Sequence, residues 1–160
     1  MSAAQFIKPK TSLSAKVGRV PTFDPQALAR AEAALNDLSS QFDDWMKAEA
    51  DKLGEARDIA QSGGWTDTAL SEIFTRAHDI KGLGTTYKFP IASKLAGSLC
   101  LILEAPRDAL DRKALARLVS GHVDTIRAVG RDGVRDETHP VARALLGELS
   151  ALSTALLSAR

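Results

Sequence analysis

Apolar side chains recur at steps of three and four along most of this chain, which is the spacing of one face of an α-helix. The longest such stretch runs from residue 25 to about residue 61, with Asp24 placed as its cap and Pro25 at its first position. Residues 62–64, Ser-Gly-Gly, end it because paired glycines disfavour helix. Its apolar positions are Leu28, Ala31, Leu35, Leu38, Phe42, Trp45, Met46, Leu53, Ala56 and the pair Ile59 and Ala60.

Four more helices follow by the same spacing, and no strand pattern competes with them. The second begins at residues 66–67, the third at Pro90, the fourth after Asp108 or Asp111, and the fifth at Pro140. Short connections favour antiparallel neighbours, so the expected fold is all-α, a four-helix bundle with an additional C-terminal helix. The expected core positions are Leu70, Ile73, Ala77, Ile80, Ile91, Leu95, Leu99, Ile102, Leu115, Leu118, Val119, Ile126, Val129, Leu145, Leu149, Leu152 and Leu156.

Composition agrees with helices packed on helices. The 160 residues suffice for one self-sufficient domain, and aromatic residues make up only 5%, fewer than a β-sandwich would favour. The first 23 residues carry four basic side chains, no acidic one and no apolar period. We therefore expect a flexible, disordered basic tail over residues 1–23 and a helical domain over residues 24–160.

Charge and cysteine content exclude several classes of function. A net charge of +1 offers no bulk attraction for nucleic acid. The single cysteine, Cys100, excludes a disulfide scaffold and a metal site built from cysteines alone. No uninterrupted apolar run reaches the ~18 residues of a membrane span, and the N-terminus lacks the apolar core of a signal peptide. We therefore expect a cytoplasmic protein without membrane or nucleic-acid partners.

One stripe of the predicted second helix, next to its core face, consists of small residues around a histidine. Ser71, Thr75, His78, Gly82 and Thr85 stack there, because positions i, i+4 and i+7 share a helix face. A glycine inside a helix costs about 1 kcal/mol relative to alanine. Close approach of another surface is a sufficient reason for that glycine, so the stripe predicts a docking surface around an accessible imidazole.

The lysine that follows this histidine favours phosphoryl chemistry. Lys81 lies three residues after His78, where its ammonium group can sit beside the imidazole. An accessible neutral imidazole can attack a phosphoryl group in line while a neighbouring cation offsets the charge on the phosphoryl oxygens. The chain has no GxxxxGK[ST] motif, so the phosphoryl donor must be another protein or a small phosphodonor.

The segment Ala77-His78-Asp79-Ile80-Lys81-Gly82 resembles the AHxLKG core of histidine-containing phosphotransfer (HPt) domains. The later segment 99–104, Leu-Cys-Leu-Ile-Leu-Glu, is similar to the LCxxLE segment of that family's next helix. The resemblance covers roughly residues 24–130. It implies a four-helix bundle of HPt type that relays phosphoryl groups between receiver-domain aspartates in a multistep two-component phosphorelay.

Residue by residue, the resemblance implies that His78 is the phosphoacceptor and Lys81 its electrostatic partner. Gly82 would let the receiver dock, with Phe74, Thr75 and Thr85 around it. The expected partners are response-regulator receiver domains and a hybrid or receiver-coupled histidine kinase. The expected phosphocarrier has no ATP-binding kinase domain and no cofactor of its own, since Mg²⁺ would come with the receiver.

The sequence departs from the family pattern after the motif. Residues 87–90, Tyr-Lys-Phe-Pro, stand where a small residue and a glycine are usual, and the next helix arrives about four residues late. We expect Lys88 to add a second positive charge near the phosphoryl group and to contact the partner.

The remaining candidate residues have ordinary structural interpretations. We expect His122 to be a hydrogen-bonded core residue and His139 to cap the fifth helix. Cys100 is expected to be a small core residue, and Trp45 and Trp65 to be packing residues. Cys100 and the two histidines lack metal-ligand spacing, so we expect no metal in this chain.

Two alternatives remain open from the sequence. One is a non-catalytic adaptor whose His78 face binds receiver or kinase domains and never carries phosphate. The other is a phosphotransferase that dimerises through its first two helices, which the long helix from Pro25 permits. The extra C-terminal helix argues against that dimer because it can cover the bundle, and we therefore expect a monomer.

Overall fold

The computed structural model describes residues 24–106 and 110–158. These residues form five α-helices and no strand, which confirms the all-α prediction for the described part of the chain. The basic tail expected at residues 1–23 and the possible cap Asp108 lie outside the described residues. The helices are α1 (Pro25–Ser62), α2 (Asp67–Leu83), α3 (Pro90–Glu104), α4 (Arg112–Arg131) and α5 (Pro140–Ser158).

The chain divides into two compact units between residues 38 and 39. The described residues of the first unit, 24–38, form the first turns of α1. Asp24 accepts a hydrogen bond from the backbone N–H of Gln26 at 3.0 Å, the expected capping contact. Leu28, Leu35 and Leu38 are exposed. The apolar period therefore predicted the helix correctly here, but these leucines are not buried in a core.

Residues 39–158 contain the hydrophobic core, and side-chain caps fix the starts of α2 and α4. Thr66 Oγ1 accepts from Ala69 N at 3.3 Å at the start of α2. Asp111 Oδ1 accepts from Lys113 N at 3.0 Å at the start of α4, so Asp111 is the cap. The expected core positions of α2, α3 and α4 are all buried. Because its apolar side is buried in this core, α2 exposes the other side to solvent.

The loop between α2 and α3 is anchored by aromatic rings. Tyr87 stacks on Trp45 of α1 with 4.2 Å between ring centroids, and it meets Phe42 edge-on at 5.1 Å. Phe89 is fully buried, and the guanidinium of Arg135 lies 4.8 Å from the centre of its ring. The turn at residues 87–90 is thus held by packed rings.

Helix α5 buries only part of the stripe predicted for it, Leu149 and, in part, Leu156. Ala142, Leu149 and Ser153 are its buried residues, whereas Leu145 and Leu152 are exposed. The prediction is wrong at these two leucines because the helix is apolar on more than one face, so spacing alone does not select the buried one. By length and composition α5 would also pass as a membrane span. The sequence criterion of an uninterrupted apolar run did not select this helix because Arg143 and Glu148 interrupt it.

A buried polar chain links α3, α4 and α5. His122 Nδ1 donates to the carbonyl oxygen of Leu118 at 2.8 Å, so Nε2 of the neutral ring accepts from Ser98 Oγ at 3.0 Å. Ser98 Oγ lies 3.3 Å from Ser153 Oγ, which in turn donates to Leu149 O at 2.7 Å. The expectation that His122 is a hydrogen-bonded core residue is confirmed.

Candidate functional site

His78 stands on the solvent side of α2 because the other side of that helix is in the core. Leu70, Ile73, Ala77 and Ile80 are fully buried, and the helical period then directs His78 outward. The imidazole is exposed, as an attacking nucleophile requires.

The stripe around His78 has a low profile. Thr75 Oγ1 donates to the carbonyl oxygen of Ser71 at 3.1 Å, and Ser71 Oγ donates to that of Asp67 at 2.9 Å. Both hydroxyls therefore fold back onto the helix backbone. Ser71, Thr75, Gly82 and Thr85 are all exposed, so a partner surface can approach the imidazole without displacing a long side chain.

Phe74 forms an apolar wall on one side of the imidazole. Its ring is half-buried, and its centroid lies 5.9 Å from that of the His78 ring with 35° between the planes. The two residues are one turn apart, at positions i and i+4. Phe74 thus lies, partly exposed, next to the imidazole of His78.

Lys81 lies on the side of α2 that meets α3. Its backbone carbonyl accepts a hydrogen bond from Ser93 Oγ at 2.5 Å, which ties the last turn of α2 to α3. Burial raises the pKa of the Cys100 thiol to about 11, and the nearby positive charge of Lys81 opposes that rise. The side chain of Lys81 is exposed. In sequence Lys81 lies three residues, about one helical turn, after His78.

Gly82 and Gly84 serve different purposes. Gly82 is the penultimate residue of α2, so its helix cost is smaller than that of a glycine at the helix centre. A Cβ added to Gly82 would have no atom within 4 Å. Internal packing therefore does not require this glycine, and its missing side chain leaves open space on the outside of the helix. At Gly84 an added Cβ would lie 2.7 Å from the carbonyl oxygen of Ile80, so that glycine is required by internal packing.

Thr85 and Lys88 follow the end of α2. Thr85 is exposed, and its carbonyl oxygen accepts from the backbone N–H of Lys88 at 3.1 Å. Lys88 is also exposed and has a left-handed backbone, with φ of 67°. The structure therefore places Lys88 beyond the last turn of α2, next to the end of the His78 stripe.

The side of α2 away from Lys81 carries both acidic and basic side chains. Arg76 forms an ion pair with Glu72 one turn away, with 2.6 Å between Nη2 and Oε1. The hydrogen bond to Glu72 raises the pKa of the Arg76 guanidinium. Asp79 is exposed next to His78. Lys81 has no ion pair within residues 24–106 and 110–158, and by helical period it and the anion Asp79 lie on different sides of His78.

The other sequence candidates are placed away from this stripe. His139 Nδ1 accepts from the backbone N–H of Ala142 at 3.3 Å, which confirms its capping role. Trp45 and Trp65 are half-buried against the core, as expected of packing residues. No group of three or more histidine, cysteine, aspartate or glutamate residues within the described residues is arranged to hold a metal ion.

Leu83, Ile59 and Leu101 are among the exposed apolar side chains that were not predicted as surface residues. Leu83 follows Gly82 directly and is 44% exposed, Ile59 lies near the end of α1, and Leu101 lies on α3. The sequence signal was available for Leu83, because it falls outside the core spacing of α2. No signal distinguished Ile59, which continues the apolar stripe of α1.

Comparisons of this chain with models of protein families, with curated proteins and with solved structures gave no match.

Proposed function

We propose that this protein is a histidine-containing phosphotransfer protein of a multistep two-component phosphorelay. The observation that carries the proposal is the placement of His78, exposed on a stripe of small residues, with the exposed cation Lys81 one turn away. The motif at residues 77–82 resembles the HPt core, and the all-helical fold is compatible with a bundle of that type.

The proposed reaction begins with a receiver whose aspartate carries the phosphoryl group. The lone pair on Nε2 of neutral His78 attacks phosphorus in line with the bond to the aspartyl oxygen. The N–P bond forms, the P–O bond breaks, and its electron pair returns to the aspartate carboxylate. The proton on Nδ1 stays on the ring or passes to water, and a second receiver aspartate then takes the phosphoryl group by the reverse step.

Lys81 and Gly82 have separate tasks in this proposal. The ammonium group of Lys81 offsets negative charge on the equatorial phosphoryl oxygens, which is greatest while the group is between nucleophile and leaving group. Gly82 leaves the approach to His78 open, since nothing occupies the position of its missing Cβ. Phe74, Thr75 and Thr85 form the contact surface around them.

The partners in this proposal are receiver domains and a kinase coupled to a receiver. Mg²⁺ would be held by the carboxylates of the receiver, as such hard cations prefer oxygen ligands. We propose that the protein acts as a monomer in the cytoplasm, through a transient contact of modest area.

The test is phosphoryl transfer from a panel of radiolabelled phospho-receivers to the full-length protein and to its His78→Gln variant. The expected result is acid-labile, alkali-stable label on the wild type and none on the variant. His139→Asn is the matched control, because it removes another histidine while keeping a side chain that can cap α5. That variant should take up label like the wild type.

Two results would contradict the proposal. Label that persists on His78→Gln would show a different acceptor. Receiver binding without any label on the wild type would favour the adaptor, since an adaptor binds through the same face and carries no phosphate.

A further inference from the structure

The backbone around Lys88 is held on both sides. Before it, Tyr87 stacks on an indole ring of α1, and after it, Phe89 is fully buried. The N–H of Phe89 donates to the carbonyl oxygen of Gly84 at 2.7 Å, and that of Lys88 donates to Thr85 at 3.1 Å. The turn is therefore fixed by neighbours of Lys88 rather than by Lys88 itself.

Lys88 has an unfavourable left-handed backbone conformation, yet its side chain gains no polar contact within the described residues. Among the described residues, Gly64, Trp65, Lys88 and Gly133 have positive φ in the left-handed region. Two of them are glycines, for which this region is allowed. Trp65 packs its ring against the core. Lys88 is exposed, and within the described residues its ammonium group has no hydrogen bond or ion pair.

We infer that Lys88 is retained for its charge, and that its ammonium group binds a carboxylate on the surface of the docked partner. A strained residue whose side chain has no partner within the described residues is a sign of function rather than of packing. The inference rests on the proposed function. It places Lys88 beside the docking surface, because the N–H of Lys88 donates to the carbonyl oxygen of Thr85 at the end of the His78 stripe.

The position of Lys88 favours a partner carboxylate over the phosphoryl group as its ligand. From His78 to the last residue of α2 the helix rises by about 7.5 Å, and Lys88 lies beyond that end. Lys81 already stands one turn from His78. Lys88 is therefore assigned to the rim of the docking surface, where a charge affects association more than chemistry.

The experiment compares three substitutions of Lys88 in single-turnover transfer from a phospho-receiver, with the receiver concentration varied. Lys88→Gly removes both charge and strain, Lys88→Gln removes the charge alone, and Lys88→Arg keeps the charge. We expect the first two to raise the half-saturating receiver concentration about fivefold at low salt, with the maximal rate unchanged. That difference should shrink at ~500 mM NaCl, and Lys88→Arg should behave like the wild type.

Two controls separate this effect from folding and from general charge. Lys88→Gly should raise the melting temperature by about 2 °C, because glycine is not strained at this φ. Its weaker docking then cannot come from unfolding. Lys113→Gln removes a positive charge at the start of α4, where Arg112 contacts the opposite end of α2 through Asp67. It should leave the half-saturating concentration unchanged.

Three results would overturn the inference. A Lys88→Gly variant with wild-type half-saturation would show that the charge has no role in docking. A lower maximal rate at saturating receiver would make the phosphoryl group the ligand instead. Absence of label on the wild type from every receiver would refute the proposed function itself, which the first two results leave intact.

Discussion

Gly82 and Gly84 are two residues apart, yet a Cβ would have nothing within 4 Å at Gly82 and would lie 2.7 Å from the carbonyl oxygen of Ile80 at Gly84. The first glycine leaves space outside the molecule, and the second permits the close turn from α2 into α3. A sequence comparison of the two positions would not separate these roles, because both residues are glycines at one helix end.

This contrast predicts opposite behaviour for two substitutions. Gly84→Ala should destabilise the fold by about 1–3 kcal/mol, since backbone must move to admit the methyl group. Gly82→Leu should change stability by less than about 0.5 kcal/mol but weaken receiver docking. Urea unfolding and receiver titration of both variants would measure this. Docking by Gly82→Leu at wild-type affinity would contradict the steric role of the open position.

Lys81→Ala should slow transfer at saturating receiver by about tenfold or more, because a positioned charge then no longer offsets the phosphoryl oxygens. The helix should remain intact, since the contact of residue 81 with Ser93 uses the backbone carbonyl. Circular dichroism and single-turnover rates check the two parts. Arg76→Ala, which removes a cation paired with Glu72 on the other side of α2, is the matched control. An unchanged rate for Lys81→Ala would remove its electrostatic role.

Burial lowers the pKa of His122 relative to the value near 6.5 expected in the unfolded chain. The unfolded state therefore binds the proton more readily, and stability should fall as the pH drops below about 6.5. Urea midpoints between pH 7.5 and pH 5 would measure the loss. Below that range, Asp132 and Asp136 contribute, because their hydrogen bonds to Arg131 and to Thr138 lower their pKa.

The His122→Asn variant should be less stable at pH 7.5 but should lose less further stability toward pH 5. Its amide does not titrate, and it leaves Ser98 without the ring nitrogen that accepts its proton. A variant with the same slope against pH as the wild type would show that another group causes the acid sensitivity.

Arg135, in the loop before α5, contacts both α1 and the residue before α3, and it should contribute measurably to stability. Its Nη2 donates to the carbonyl oxygen of Ser39 at 2.9 Å and to Asp43 Oδ1 at 2.8 Å, while the guanidinium covers Phe89. Arg135→Ala should cost about 1–2 kcal/mol in urea unfolding, and Arg135→Lys should recover only part of it, because lysine lacks the planar fork. A double-mutant cycle with Asp43→Asn isolates the ion pair, and a coupling energy of zero would contradict this role.

Much of the fold could be predicted from the sequence because it depends on local rules. Helical period, the caps Thr66 and Asp111, and Pro90 at the start of α3 specify where the helices of the described chain lie. The spacing of α2 also predicted which residues are buried and that His78 faces outward. These inferences need only the neighbours within two helical turns.

The rest required contacts between residues far apart in sequence. Leu145 and Leu152 are exposed on a helix that is apolar on more than one face, so only packing selects its buried side. The rings that hold the loop at Tyr87, the polar chain at His122 and the left-handed backbone of Lys88 depend likewise on residues brought together by folding. The sequence alone determined the helices and the candidate nucleophile, because helical period and capping are local. Only the tertiary structure decided which side of α5 is covered and which charges remain available, because these depend on packing between residues far apart in sequence.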